Sequence, residues 1–188
     1  MKEKNALNIS GLLSFLFALL IIFSCCAPSY LYAQDIPEDK KDIFSNSGYP
    51  IPRFVSLAKD ITNVRAGPGQ KYPVKWVITK QGLPVEIILE FDHWRKIKDY
   101  DGEEGWVFKS LLSGKRTGFI MGGKAVNAYE DQYSVFDEKG QVSVMLEPQS
   151  LVEISSCEGT VCHIAASGLS GWIERKSLWG VYEKENFD

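Results

Sequence analysis

The sequence predicts an all-β protein that contains two tandem copies of one small unit after an N-terminal leader and a tether. Three observations support this prediction. A Gly-Pro-Gly turn ends a short apolar and polar alternation at residues 63–69, apolar residues occupy every second position of 85–91, and three short motifs recur at a nearly constant offset. Strands and turns produce these patterns, because proline and glycine disfavour a helix interior and a period of two is typical of a strand.

The first 33 residues have the layout of a secretory signal peptide. Two lysines near the start precede an almost wholly apolar stretch, residues 11–23, and small or turn-forming residues end at Ala33. The stretch is shorter than the about 20 residues that a transmembrane helix needs. An uncleaved anchor and lipidation at Cys25 or Cys26 are the alternatives, although a bulky phenylalanine two positions before Cys25 fits a lipoprotein poorly. We expect cleavage after Ala33 and a periplasmic or secreted protein.

The composition is that of an ordinary folded domain, with 45% hydrophobic and 24% charged residues among 188. The formal net charge of -3 shows no basic excess, so we expect no nucleic-acid partner. Residues 34–52 are polar and rich in turn formers, and this composition predicts a flexible linker.

Strands follow from residue 53 onward. Val85, Ile87, Leu89 and Phe91 alternate with polar residues, which is typical of a strand with one buried face. A two-residue turn at 92–93 then predicts a hairpin that returns through residues 94–97, and a second turn at 100–105 leads into residues 106–108.

An internal repeat divides the chain. Residues 85–87 recur as 152–154, 105–107 as 171–173, and 109–111 as 176–178, at offsets of 67, 66 and 67 residues. Islands in the same order at one offset indicate tandem copies. We assign the first domain to residues 53–115, the second and more degenerate domain to 119–182, and an acidic tail to 183–188.

Two cysteines remain after removal of the leader, Cys157 and Cys162. The offset of 67 places them at the positions of Glu90 and Arg95, which face each other across a hairpin with a two-residue turn. In an oxidising compartment we therefore expect a disulfide, whose closed loop contributes only about 2 kcal/mol. A metal site with His163 is the alternative, but it lacks a fourth local ligand.

These motifs together resemble the bacterial SH3-like domain family, in the exported two-repeat form found in alphaproteobacteria. The resemblance covers about residues 52–182 and rests on motifs in register: residues 63–69, Tyr72 to Val74, Trp76, 82–87, 94–97, 105–107 and 110–114. It implies two small SH3-like β-barrels. The second copy lacks the Arg-x-Gly-Pro stretch and has Val161 where the first has Trp94, so the resemblance implies the barrel for both copies and binding through the first.

The resemblance implies a non-enzymatic binding module without a cofactor or metal. We find no catalytic set of residues. The expected partner is peptidoglycan, or an envelope protein or peptide, with no membrane contact beyond the leader. The candidate ligand-binding residues are aromatic rings and one cation that suit peptide or glycan-peptide ligands: Arg65, Tyr72, Trp76, Trp94, Tyr100 and Trp106.

Three alternatives stay open. Trp76 and Trp106 are better explained as barrel core than as exposed binding residues, and Arg65 is explained equally well as the partner of a nearby acid. The whole protein is alternatively a structural adaptor that binds another envelope protein without cell-wall affinity, as the degenerate second copy and the acidic tail indicate.

Overall fold

Apolar and polar alternation after Pro52 produces two antiparallel β-sheets of seven strands each. The computed structural model describes residues 47–137 and 140–188. The leader predicted for residues 1–33 lies outside the described residues. Among the described residues, we find no helix with the length and apolar character needed to cross a membrane.

The first sheet contains the first repeat. Its strands are β1 (Arg53–Leu57), β2 (Thr62–Arg65), β3 (Val74–Ile78), β4 (Pro84–Phe91), β5 (Trp94–Lys98), β6 (Glu104–Phe108) and β7 (Leu112–Ser113). Neighbouring strands follow the order β3-β2-β6-β5-β4-β1-β7. The first and last strands of the repeat, β1 and β7, are therefore paired with each other.

The second sheet contains the second repeat. Its strands are β8 (Thr117–Ile120), β9 (Val126–Tyr129), β10 (Val142–Leu146), β11 (Leu151–Glu158), β12 (Val161–Ala166), β13 (Leu169–Glu174) and β14 (Leu178–Trp179). Their order, β10-β9-β13-β12-β11-β8-β14, repeats the first sheet strand for strand. This confirms the all-β fold with two tandem copies. The difference is α1 (Ser134–Asp137), a single helical turn between β9 and β10 that the sequence did not predict.

The β4–β5 hairpin keeps its predicted turn but not its full alternation. Val85 and Ile87 are buried as expected, and a bulge after Ile87 then shifts the strand by one position. Glu90 consequently turns inward and is 3% exposed, whereas Phe91 is 57% exposed. The bulge therefore turns the Glu90 carboxylate towards the core and the Phe91 ring towards solvent, the reverse of what strict alternation predicts.

The cysteine prediction is confirmed. Glu90 lies opposite Arg95 in the first repeat, and Cys157 lies opposite Cys162 in the second. The two cysteines form a disulfide with their Cα atoms 4.1 Å apart. The thiols are therefore used by each other rather than by a metal ion.

The last part of the predicted linker is packed rather than flexible. The Ser47 backbone N–H and hydroxyl both donate to the carboxylate of Glu90, at 2.8 Å each. Ile51 is 4% exposed and belongs to the core of the first repeat. The polar composition of the linker gives no sign of this packing, because the packing depends on a single buried isoleucine and on a distant buried acceptor, Glu90.

The cores of the two repeats meet. Phe119, from β8 of the second repeat, lies in the core cluster of the first. Phe54 packs edge-on against Trp179, with ring centroids 5.0 Å apart. The hydroxyl of Tyr182 donates to the buried carboxylate of Glu86 at 2.8 Å. The repeats are thus joined by aromatic packing and by a buried hydrogen bond.

Candidate binding face on the first repeat

The outer surface of the first sheet carries a group of aromatic and cationic side chains. Strand alternation creates it, because Val64, Ile97 and Val107 point into the core and their chain neighbours point outward. We call the outward group the aromatic face, and it consists of Arg65, Trp94, Lys96, Trp106 and Phe108.

Strand register places these side chains in two rows. Trp94 lies opposite Phe108, and their rings meet edge to face with centroids 5.4 Å apart. Trp106 lies between Lys96 on β5 and Arg65 on β2. Aromatic rings in such an array offer a large contact area at a low entropic cost, and the flanking cations attract carboxylates.

Arg65 ends β2 and holds the loop that follows. Its Nη1 donates to the carbonyl oxygens of Tyr72 at 2.8 Å and Gln70 at 3.3 Å. A Cβ atom on Gly67 would lie only 2.6 Å from the Tyr72 ring, so glycine is needed for the ring to cover the loop. Tyr72 therefore belongs to the edge of the face, and Arg65 has a loop-holding role that the sequence did not predict.

Lys96 pairs with Glu104 on the neighbouring strand, with Nζ and Oε2 2.5 Å apart. The hydrogen bond and charge of Lys96 hold the pKa of Glu104 below its usual range. Both side chains are about one-third or more exposed, and exposed pairs of this kind are weak, so a ligand carboxylate can compete for the lysine.

Trp76 and Tyr100 lie elsewhere. Both pack against the core of the first repeat, which agrees with the core alternative for Trp76. They line a groove of about 400 Å³, together with Phe119, whose ring centroid is 4.5 Å from that of Tyr100. In this groove burial raises the pKa of Asp99, although that carboxylate accepts the backbone N–H groups of Glu103 and Asp101.

The structure thus divides the six candidate residues. Arg65, Trp94 and Trp106 share the aromatic face with Tyr72 at its edge, and the other two line the groove. Sequence reasoning missed Lys96 and Phe108, although each lies two positions from a predicted tryptophan and therefore on the same side of its strand.

The second repeat keeps only part of this arrangement. Register places Trp172 at the position of Trp106 and His163 at that of Lys96, with the two rings 5.0 Å apart. Val161 and Glu174 replace the aromatic pair. His163 accepts or donates a hydrogen bond at 2.8 Å with the hydroxyl of Ser155.

Among residues 47–137 and 140–188, no group of three or more histidine, cysteine, aspartate or glutamate side chains is arranged to hold a metal ion. Both histidines lie on strand or turn surfaces: His93 is beside Asp92, 3.5 Å away, and packs against Phe108. The chemistry that these residues support best is recognition by ring stacking and ion pairing.

The chain is similar to one known protein family and, more distantly, to several solved structures. No curated protein sequence matches the chain. NlpC2 from Trichomonas vaginalis aligns over 74% of this chain and 52% of its own, with 13% identity and a TM-score of 0.32. NlpC1 from the same organism aligns over 72% and 49%, with 15% identity and a TM-score of 0.31. The chain therefore spans about half the length of these structures.

The family model described as the bacterial SH3 domain matches residues 58–114 and 133–180, one segment in each repeat. The match covers more than half of the chain and agrees with the two equivalent sheets. The chain belongs to the bacterial SH3 domain family, a family of binding modules, and carries two copies of the domain.

Proposed function

We propose that this protein is an exported, non-enzymatic binding module that recognises peptidoglycan peptides or another cell-envelope ligand through its first repeat. The observation that carries the proposal is the aromatic face, where Trp106 lies between two cations and next to the Trp94–Phe108 pair. Peptide stems bear carboxylates and short aliphatic groups, so cations and rings side by side are a suitable receptor for them.

Export is supported by the chemistry of the second repeat. The Cys157–Cys162 disulfide fits an oxidising compartment such as the periplasm or the extracellular space. The signal-peptide pattern of residues 1–33 points to the same destination.

Trp76 and Tyr100 remain in the proposal as the lining of a separate groove. Their contacts with the core give them a structural role as well, so substitution there would change stability and binding together. The aromatic face is the sharper target, because Trp94, Trp106 and Phe108 lie outside the core clusters of the first repeat.

The test is an NMR titration of isotope-labelled residues 34–188 with soluble peptidoglycan fragments. We expect shifts at Trp94, Trp106 and Arg65, and about a tenfold or greater loss of affinity in Trp94→Ala. Tyr133→Ala, which removes an exposed ring from the second repeat, is the matched control and should bind normally. Saturable shifts confined to the Trp76 groove would show that the ligand binds there and not on the aromatic face. A titration without shifts would show that peptidoglycan fragments are not the ligand.

The alternative is an adaptor that binds an envelope protein through the same face. The observation in its favour is that the equivalent face of the second repeat already contacts a protein segment, α1. Crosslinking in intact cells from a photoreactive residue at position 94 would recover a stoichiometric protein partner if the adaptor function holds, and cell-wall fragments if it does not.

A further inference from the structure

The second repeat has a face equivalent to the aromatic face of the first. Register places Val161 at the position of Trp94, Trp172 at that of Trp106 and Tyr129 at that of Arg65. The strand neighbours of these residues, such as Cys162, Ile173 and Ala128, point into the core, so both faces lie on the outer side of their sheets.

Residues 130–137, the first part of the connection between β9 and β10, place Val135 on this second face. Residues 130–141 are longer than their counterpart, residues 66–73, and they include α1. Val135 of α1 is 8% exposed and forms one apolar cluster with Tyr129, Val161 and Trp172. A single aliphatic side chain from a helical turn is therefore seated on the position where the first repeat exposes its rings.

The covering segment is held in shape by its own hydrogen bonds. Asp131 accepts the backbone N–H groups of Tyr133 and Ser134 at 3.0 Å each, and the Ser134 hydroxyl at 2.7 Å. These bonds keep the pKa of Asp131 below its usual range, so the segment carries negative charge at neutral pH. Tyr133 and Phe136 point away from the sheet and are 78% and 60% exposed.

In the first repeat the equivalent connection is short and stays at the edge. Arg65 holds the carbonyl oxygens of Gln70 and Tyr72, and residues 66–73 contain no valine, leucine or isoleucine, so this loop has no counterpart of Val135. The face also differs in charge, because Lys96 replaces His163 and Arg65 replaces Tyr129. An acidic segment would gain ion pairs on the first face that it lacks on the second.

We propose that the first repeat binds from a partner protein what the second repeat binds from its own chain, namely a short helical turn with one aliphatic side chain flanked by carboxylates. The proposal rests on the proposed function, in that it takes the aromatic face as the binding site, and it names the class of ligand. The second repeat is on this account a self-occupied copy of the same site.

The probe is a synthetic peptide of residues 130–141, titrated into isotope-labelled residues 34–188. We expect saturable shifts at Trp94, Lys96, Trp106 and Phe108, with a Kd of about 1 mM or tighter because a short peptide must order on binding. A peptide with Val135→Asp should lose at least about tenfold in affinity, because it presents a charge to the apolar seat.

Charge provides a matched pair of protein variants. Lys96→Glu should weaken peptide binding several-fold and remove most of its dependence on salt. Lys124→Glu makes the same charge change at an exposed site in the second repeat and should bind as the unmodified chain does. Dispersed spectra of both variants would show that each is folded.

The outcomes separate this inference from the proposed function. Peptide shifts on the first face that Val135→Asp abolishes would support it. No shift with the peptide, but shifts on the same face with peptidoglycan fragments, would overturn the inference and leave the function in place. If neither the peptide nor the peptidoglycan fragments cause shifts on the first face, the inference and the proposed function are both overturned.

Discussion

One pair of opposed positions is stabilised in two different ways in the two repeats. In the second repeat it is a disulfide. In the first it is an ion cluster, where the buried Glu90 carboxylate accepts from Arg53 at 2.6 Å, lies 3.2 Å from Arg95 Nε and also accepts from Ser47. Burial alone would raise the pKa of Glu90, but these hydrogen bonds and charges outweigh it, so the pKa lies below its usual range.

This shift predicts how stability depends on pH. A carboxylate whose pKa is lower in the folded than in the unfolded state stabilises the fold above the unfolded value, about 4.3 for glutamate. That contribution is lost as pH falls through the lower folded value. We expect Glu90→Gln to lower the free energy of unfolding by about 2–3 kcal/mol at pH 7, and the difference from the unmodified chain to shrink towards pH 3.

Urea unfolding at a series of pH values measures this difference. Glu158→Gln removes an exposed carboxylate from the equivalent end of β11 and should cost no more than about 0.5 kcal/mol. A gap between the unmodified chain and Glu90→Gln that stays constant from pH 7 to pH 3 would assign the loss to the hydrogen bonds that the amide cannot make, and not to the charge of Glu90.

The disulfide is expected to contribute less to stability than the Glu90 ion cluster, because the loop that it closes is short. Cys157 and Cys162 are five positions apart, which corresponds to about 2 kcal/mol of lost unfolded-state entropy. A reductant should therefore lower the urea midpoint of the unmodified chain and leave that of the double variant Cys157→Ser, Cys162→Ser unchanged. If the reductant lowers the urea midpoint equally in the unmodified chain and in the double variant, the change does not come from this disulfide.

At the scale of strands, the recurring Gly-Trp-Val and Gly-Trp-Ile motifs have a common steric cause. Gly105 on β6 passes β2 so closely that a Cβ atom would lie 2.3 Å from Val64 Cγ1 and 3.1 Å from the carbonyl oxygen of Arg65. In the second repeat, a Cβ on Gly171 would lie 2.9 Å from the carbonyl oxygen of Tyr129. The glycine closes the sheet, and the following tryptophan is thereby placed on the outer face.

Gly105→Ala should accordingly destabilise the protein by about 1–3 kcal/mol, since the added methyl group must displace Val64 or separate two paired strands. Gly114→Ala is the control, because a Cβ there meets no atom within 4 Å and its backbone does not require glycine. Thermal unfolding of both variants compares them, and equal melting temperatures would contradict the steric account. An NMR signal of the Trp106 side chain that shifts in Gly105→Ala but not in Gly114→Ala would show that Gly105 helps to position Trp106 on the aromatic face.

How far the sequence predicts each element depends on whether the deciding contact is local. The register of the β4–β5 hairpin could be predicted, because a two-residue turn fixes which residues are opposed. The bulge could not, because alternation marks Glu90 as outward and gives no sign that the carboxylate turns inward to Arg53, 37 positions earlier in the chain. The helical turn α1 could not either, because four residues give no helical periodicity and Val135 is held by tertiary contacts.

The candidate site follows the same rule. Residue type and motif order point to Arg65, Trp94 and Trp106, and alternation alone would have added Lys96 and Phe108. That all five share one face depends on β2 pairing with β6, strands that are remote in sequence. Trp76 and Tyr100 have the same aromatic character, but the groove that they line contains Phe119 of the other repeat, which no local pattern reveals.

At the scale of the whole molecule, the two repeats are expected to unfold together. A unit of about 60 residues buries little surface and is only marginally stable. Here the first repeat completes its core with Phe119 of the second, and Phe54 of the first packs on Trp179 and Tyr182 of the second. Each repeat therefore supplies apolar surface that the other needs.

Phe119→Ala tests this dependence, because it removes a 4% exposed ring that belongs to the second repeat in sequence and to the first in packing. We expect a loss of about 3–5 kcal/mol, with amide hydrogen exchange accelerated in β1–β7 as much as in β8–β14. Met121→Ala, two positions along the chain and 38% exposed, should change exchange little in either repeat. Faster exchange confined to β8–β14 would mean that the first repeat keeps its core without this ring. Equal acceleration in both sheets would instead show that one cooperative unit presents the aromatic face, because the strands that carry it are then only as stable as the contact between the repeats.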